Sequence, residues 1–197
     1  IWHYAYLNTG LLLKFNDERI ESKNGLLDLL NAEVTDDRLY EPLHYRSPQM
    51  EFAFLHTQSY GENYFSYVNG QYTSDGGTHL SAFREGILKG VNEFAKKNFQ
   101  GVDVRDGIIG TILVKVKDPI FESQTKNKLS NTDLRGPVVN EVKEAVSNLL
   151  YKNPETAKAI IERIAFNEKL RKELSAVKKD AKEKQKKISF KIPKLRD

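Results

Sequence analysis

The 197-residue sequence predicts an α+β fold: a mixed sheet with helices on one face, followed by a long C-terminal helix. Three observations carry the prediction. Residues 50–58 alternate in part and residues 62–70 are aromatic and β-branched, as in strands, whereas after Gly76-Gly77 the apolar residues recur every three or four positions, as in a helix. The run GIIGTILVKVKD at 107–118 is the strongest strand signal in the chain. From Asn153-Pro154-Glu155 onward nothing interrupts a helix until about Lys187.

Taken in order, TGLLLKF at 9–15 is a short apolar run, and Asn16-Asp17 turns it toward RIESKN as a hairpin. Gly25 opens a short helix with Leu26, Leu27, Leu29 and Leu30 available for burial, and residues 35–48, with Pro42 and Pro48, read as loop. Met50, Phe52 and Phe54 share one side of a strand. With Tyr60-Gly61 as the turn, 50–58 and 62–70 are expected to pair as an antiparallel hairpin. Thr78 is the expected N-cap of a helix to about Lys97, with Leu80, Phe83, Ile87, Val91 and Phe94 on its buried stripe and Lys96 and Lys97 in its last turn.

The strand at 107–118 stops at Asp118-Pro119, and a polar loop, FESQTKNKLSN, follows. Pro137 marks the next helix start, with Val138, Val142, Val146 and Leu149 as its stripe. Asn153 then caps a helix of some thirty-odd residues, about 50 Å long at ~1.5 Å per residue. Its apolar residues thin out after Leu174 and Val177, so its end is expected to project or to pack against something outside this chain, and ISFKIP at 188–193 reverts to an extended pattern. Two domains are expected: 1–152, and a basic helix with linker at 153–197.

No run approaches the ~18 apolar residues of a membrane span, and no signal peptide is visible. Without cysteine there is no disulfide and no thiolate metal site, which fits a cytoplasmic protein. The chain opens on Ile1 and is expected to be a piece of something longer. Residues 169–197 hold twelve Lys/Arg against four Asp/Glu, while the rest is mildly acidic. That asymmetry suits either a solvated helical face or a polyanion partner.

Little in the chain points to catalysis. His3, His44, His56 and His79 lack metal-ligand spacing, and no nucleophile elbow or P-loop occurs. DGGTH at 75–79 is a glycine turn entering a helix N-terminus, either an anion site or a steric turn. Arg105, in DVRDG, is expected to make local ion pairs. The loop at 121–131 offers lysines and amides suited to a phosphate, or it is simply a solvated loop.

Several stretches taken together go further. AYLNTGLLLKF, FSYVNGQYTSDGGTHLSAFREGI and DVRDGIIGTILVKVKDPIFESQTKNKLSN resemble the transducer domain of bacterial type IIA DNA topoisomerase B subunits, those of DNA gyrase and topoisomerase IV. The matching motifs are Tyr67-Val68-Asn69, Thr73 and Gly76-Gly77-Thr78-His79; then Asp103-Val104-Arg105-Asp106-Gly107; then 119–129. The resemblance covers nearly the whole chain and implies the fold of a ribosomal small-subunit protein domain, with a left-handed crossover against the usual rule. It implies an ATPase domain before this segment and a metal-binding Toprim domain after it. ATP and Mg2+ would be held mainly by those other domains, with no catalytic or metal-binding residue in this piece.

By the same resemblance, Gln124 and Lys126 contact the γ-phosphate of ATP, Thr125 is positional, and Lys128 carries no assigned role. The long helix would lead toward the DNA gate, with Lys178, Lys179, Lys182, Lys186 and Lys187 as candidate contacts to duplex DNA. Implied partners are the A (cleavage) subunit and, in the full-length protein, a second B subunit; the piece alone is expected to be monomeric and inactive. KIPKLRD at 191–197 lacks the glycine of the family's usual LPGKL entry to Toprim, which favours topoisomerase IV. A stand-alone nucleic-acid-binding module of the same fold is the alternative, but it has no need of the Gln-Thr-Lys loop.

Overall fold

The computed structural model describes residues 1–34 and 38–189, except for the side chains of 186–189. Helix α1 (Trp2–Leu7) leads into a hairpin of β1 (Leu13–Phe15) and β2 (Glu18–Ile20). Asn16 and Asp17 both take left-handed φ, of 47° and 66°, as a two-residue hairpin turn requires. Helix α2 (Leu26–Glu33) follows, burying Leu26, Leu29 and Leu30. The main sheet has the order β3-β4-β7-β5-β6, built from β3 (Leu43–Arg46), β4 (Met50–His56), β5 (Glu62–Val68), β6 (Gln71–Tyr72) and β7 (Ile108–Val114). Only β5 and β7 run parallel, so the sheet is mixed.

Two sequence expectations change here. The segment read as loop contains β3, whose Leu43 and Tyr45 lie opposite Phe54 and Phe52. The four residues of β3 are too few to show a period, and it is pairing to β4 that makes them a strand. The expected hairpin of β4 with β5 does not form, because β7 lies between them and pairs with both. β7 is apolar on both faces and belongs at the centre of a sheet, where neither face meets water.

Gly107 makes that insertion possible. The β4–β5 connection crosses over it: the Thr57 N–H donates to the Gly107 carbonyl (2.8 Å), and the Gly107 N–H donates to the Gly61 carbonyl (2.6 Å). Gly107 has φ +88°, and a Cβ there would lie 2.9 Å from the carbonyl oxygens of both Thr57 and Ser59.

Helices α3 (Thr78–Ala95) and α5 (Arg135–Lys152) cover one face of the sheet, with Phe83 of α3 against Phe52, Phe54 and Tyr64. The two helices approach closely at Gly86 and Gly90, which face Val142 and Val146. A smaller cluster joins Leu26 and Leu29 of α2 to Tyr67 and Leu113, so α2 adds cover on the other face. Thr78 is the first residue of α3 and not its cap; Gly77 holds that position. The helix ends at Ala95, and Lys96 is its left-handed C-cap instead of part of the last turn.

DVRDG begins in a helix: α4 (Gly101–Arg105) covers Asp103, Val104 and Arg105, and Asp106 is its C-cap. A 3-10 turn (Thr132–Leu134) precedes α5. The Asn153 side chain closes α5 by donating to the Leu149 carbonyl (2.8 Å), while the Asn153 backbone carbonyl accepts from Ala157 N–H (2.9 Å) in the next helix. That helix, α6 (Pro154–Ser189), has 36 residues and is ~54 Å long at ~1.5 Å per residue. Ala157, Ile160 and Ile164 are buried, whereas Leu174 and Val177 are exposed. Ile188 and Ser189, expected to be extended, are helical because the lysine-rich stretch before them contains no breaker. The remainder of ISFKIP and of KIPKLRD lies outside the described residues.

Candidate functional site

The loop after β7 is a short hairpin. Leu129 bridges Phe121 antiparallel, Glu122 N–H donates to the Lys128 carbonyl (3.0 Å), and Ser130 N–H donates to the Ile120 carbonyl (2.8 Å). The Asn131 side chain staples the base, accepting from Ile120 N–H (2.6 Å) and donating to the Asp118 carbonyl (3.2 Å). At the tip, Lys126 N–H donates to the Ser123 carbonyl (3.1 Å), and Lys126 itself sits at φ +57°. The Ser123 and Thr125 hydroxyls bond each other at 2.7 Å.

Within this loop the two lysines differ. Lys128 Nζ is 3.0 Å from Glu122 Oε1, so its charge is used in the stem. Gln124 and Lys126 are exposed at the tip, and neither side chain has a hydrogen-bond or ion-pair partner among the described residues. One amide and one unpaired cation on a fixed turn form a donor-rich tip, the chemistry that suits phosphate oxygens.

The loop is seated on the glycine turn before α3. Asp75 N–H donates to the Asn127 carbonyl (3.0 Å), Leu129 N–H to the Gly76 carbonyl (3.1 Å), and Thr78 N–H to the Leu129 carbonyl (3.0 Å). The anion reading of DGGTH therefore loses one of its donors, because a backbone carbonyl already occupies the Thr78 N–H. Behind the turn, Thr73 Oγ1 donates to the Ser66 carbonyl (2.8 Å), which leaves it to accept from His79 Nε2–H at 3.2 Å. The other nitrogen of His79 is buried without a partner among the described residues. Burial lowers the His79 pKa to about 4, so the ring is neutral at pH 7.

In the sequence the glycine turn at 75–79 and the loop at 121–131 are separate signals. Their juxtaposition was not legible, because some fifty residues separate them and neither carries a signal for the other.

DVRDG anchors the long helix. Arg105 pairs with Glu62 of β5 (3.1 Å), forty-three residues away, in place of the expected local acids. Asp103, 2% exposed, is bound by Arg171 of α6 through Nε (2.7 Å) and Nη2 (2.8 Å). Asn167 Nδ2 donates to the carbonyls of Asp103 (2.9 Å) and Asp106 (3.2 Å). Beyond this latch, Lys178, Lys179 and Lys182 are exposed along one side of α6 with Ser175 and Glu183, while Lys184 pairs with Asp180 (2.9 Å). The side chains of Lys186 and Lys187 lie outside the described residues. Among the described residues, no three His, Asp or Glu side chains converge as a metal site would need, and no helix is long and apolar enough to cross a membrane.

A family model for DNA gyrase B matches residues 12–181. The chain belongs to the DNA gyrase B family. This gyrase B family chain is 57% identical over 197 residues to the DNA topoisomerase 4 B subunit of Borreliella burgdorferi, covering 100% of this chain and 33% of that protein. It is 33% identical over 184 residues to the DNA gyrase B subunit of Clostridium acetobutylicum, covering 81% of this chain and 28% of that protein. The chain thus spans about a third of the length of these curated relatives.

Among solved structures, the 43K ATPase domain of Thermus thermophilus gyrase B in complex with an aminocoumarin aligns with TM-score 0.78 at 29% identity, over 90% of this chain and 54% of that one. The topoisomerase IV ATP binding domain of Francisella tularensis aligns with TM-score 0.72 at 26% identity, over 86% and 51%. This member of the gyrase B family therefore has the α+β fold expected from its sequence.

Proposed function

We propose that this segment is the transducer of a type IIA topoisomerase B subunit, coupling ATP binding and hydrolysis elsewhere in the subunit to passage of a DNA duplex. The observation that carries the reading is the donor-rich tip: Gln124 and Lys126 are exposed and unpartnered among the described residues, beside a lysine already neutralised by Glu122. Such a tip gains energy from a γ-phosphate and nothing from its absence, so hydrolysis changes how strongly the loop is held. The residues fit the phosphate end of ATP; the rest of the nucleotide and its Mg2+ would be bound by other parts of the subunit. The lysines of α6 would contact duplex DNA without reading its sequence. The A subunit and a second B subunit complete the assembly in this reading. The higher identity to a topoisomerase IV relative than to a gyrase relative favours topoisomerase IV.

The test is Lys126→Ala in the full-length subunit. Losing a charge-assisted hydrogen bond costs roughly 1.5–3 kcal/mol, so ATP affinity or turnover falls about ten- to a hundredfold at ~1.4 kcal/mol per decade. ADP affinity stays nearly constant, Gln124→Ala acts in the same direction but more mildly, and Lys128→Ala does much less. Equal losses of ATP and ADP affinity would mean that the loop supports docking and does not sense the phosphate.

A further inference from the structure

The contacts between the loop and the glycine turn have a role that the phosphate reading alone does not require. We propose that the turn at residues 76–78 is the seat that positions the phosphate-sensing loop and passes its displacement to α3, with Gly77 as the positioning residue. The proposal deepens the reading of Gln124 and Lys126 given above and rests on it.

Gly77 has φ +127°, and a Cβ built on it would lie 2.3 Å from the Leu129 carbonyl oxygen and 2.5 Å from the Leu129 nitrogen. Those are backbone atoms, so no side-chain rotation could relieve the overlap, and only glycine lets the turn and the loop approach. Leu129 is 1% exposed and belongs to the main core. It is three residues from Lys126, so a pull on the tip reaches a residue fixed on one side by the core and on the other by the turn.

The turn itself is tied to β5 through Thr73 and His79, which makes the sheet a fixed base. Thr78, whose N–H holds the Leu129 carbonyl, is also the first residue of α3, and Ser81 N–H donates to the Gly77 carbonyl (3.0 Å) in the opening turn of that helix. The loop therefore hangs directly on the start of α3. From there the coupling is a matter of rigid bodies. α3 meets α5 at Gly86 and Gly90, with no spare space for one helix to slide independently of the other. α5 in turn runs into α6 with only Asn153 between them. A shift of the loop toward a phosphate is thus delivered to the long helix through α3 and α5.

The experiment compares ATP and ADP binding in the full-length subunit carrying Gly77→Ala, with Lys126→Ala in parallel. Gly77→Ala is expected to lower ATP affinity by about tenfold, or ~1.4 kcal/mol, with ADP affinity unchanged, like Lys126→Ala but with the lysine intact. If a folded Gly77→Ala subunit keeps its ATP preference while Lys126→Ala loses it, the seat is wrong and phosphate sensing stands. If Lys126→Ala keeps the preference, phosphate sensing fails and the seat falls with it.

Should Gly77→Ala fail to fold, amide hydrogen exchange in the unaltered subunit decides the matter. The N–H groups of Asp75, Thr78 and Leu129 are expected to exchange more slowly with a non-hydrolysable ATP analogue than with ADP. Equal exchange in the two states overturns the proposal.

Discussion

His56 is buried between Val104, whose carbonyl accepts from Nε2 at 2.8 Å, and the Tyr40 hydroxyl, which bonds Nδ1. Burial lowers its pKa from 6.5 to about 4, and His79 is lowered to the same value for the same reason. In both cases the unfolded chain takes up the proton first as pH falls. The stabilisation is therefore complete above 6.5 and is lost between 6.5 and about 4. At ~1.4 kcal/mol per pH unit, each ring costs roughly 2 kcal/mol by pH 5. The urea midpoint, followed by circular dichroism, should drop clearly between pH 7 and pH 5. Unchanged midpoints would mean that the rings protonate within the fold. Glu51, held below the usual carboxylate range by His44, Arg46 and the Leu26 N–H despite its burial, acts in a lower window, as pH falls past its ordinary value of 4.5. None of these partners could be read from the sequence, where the histidines showed only that no metal spacing was present.

At Gly90 a Cβ would meet the Lys143 carbonyl oxygen and Val146 Cβ, both at 2.8 Å. Gly90→Ala is therefore expected to destabilise the chain by about 1–3 kcal/mol through overpacking, despite alanine's better helix propensity. A midpoint raised by the substitution would show that the helices separate freely. Along α6, Lys178, Lys179 and Lys182 are exposed and unpaired among the described residues. Changing all three to Gln should reduce the slope of log K against log salt for duplex DNA by about 2–3, at ~0.9 per phosphate contact. DNA binding that is indifferent to salt would remove the polyanion reading of this helix. The sequence showed the arm because a run without breakers is a local property. It did not show that Asp103, Asn167 and Arg171 fasten the arm to α4, since ion pairs between distant elements leave no periodic trace.

At the scale of the whole molecule, the chain carries the donor loop, the seat and the arm on one core, with no metal-ligand cluster among the described residues and no nucleophile elbow in the sequence. Pure chain is expected to show no ATP hydrolysis above background. A rate abolished by a substitution within the chain would place a water-activating group here. It is also expected to sediment as a monomer at micromolar concentration. Apart from Ile1, Trp2, Tyr4, Leu11, Leu12 and Phe15 near the start of the chain, the large apolar side chains exposed among the described residues are scattered in sequence, at Tyr60, Tyr72, Val102, Ile120, Tyr151, Phe166, Leu174 and Val177. A tight dimer by analytical ultracentrifugation would contradict this.

Hydrophobic period, turn residues and breakers act over a few positions, so the sequence by itself determined the helices α2, α3 and α5, the strands β4, β5 and β7, the two-residue hairpin at Asn16-Asp17, the polar loop after β7 and the approximate length of α6. The tertiary structure alone decided that β7 inserts between β4 and β5, that β3 is a strand, that Arg105 turns to Glu62, and that the glycine turn seats the loop. Each of these joins residues far apart in the chain. Such contacts are chosen by which buried surfaces and backbone donors find partners once the core closes, and no local window of sequence records that choice.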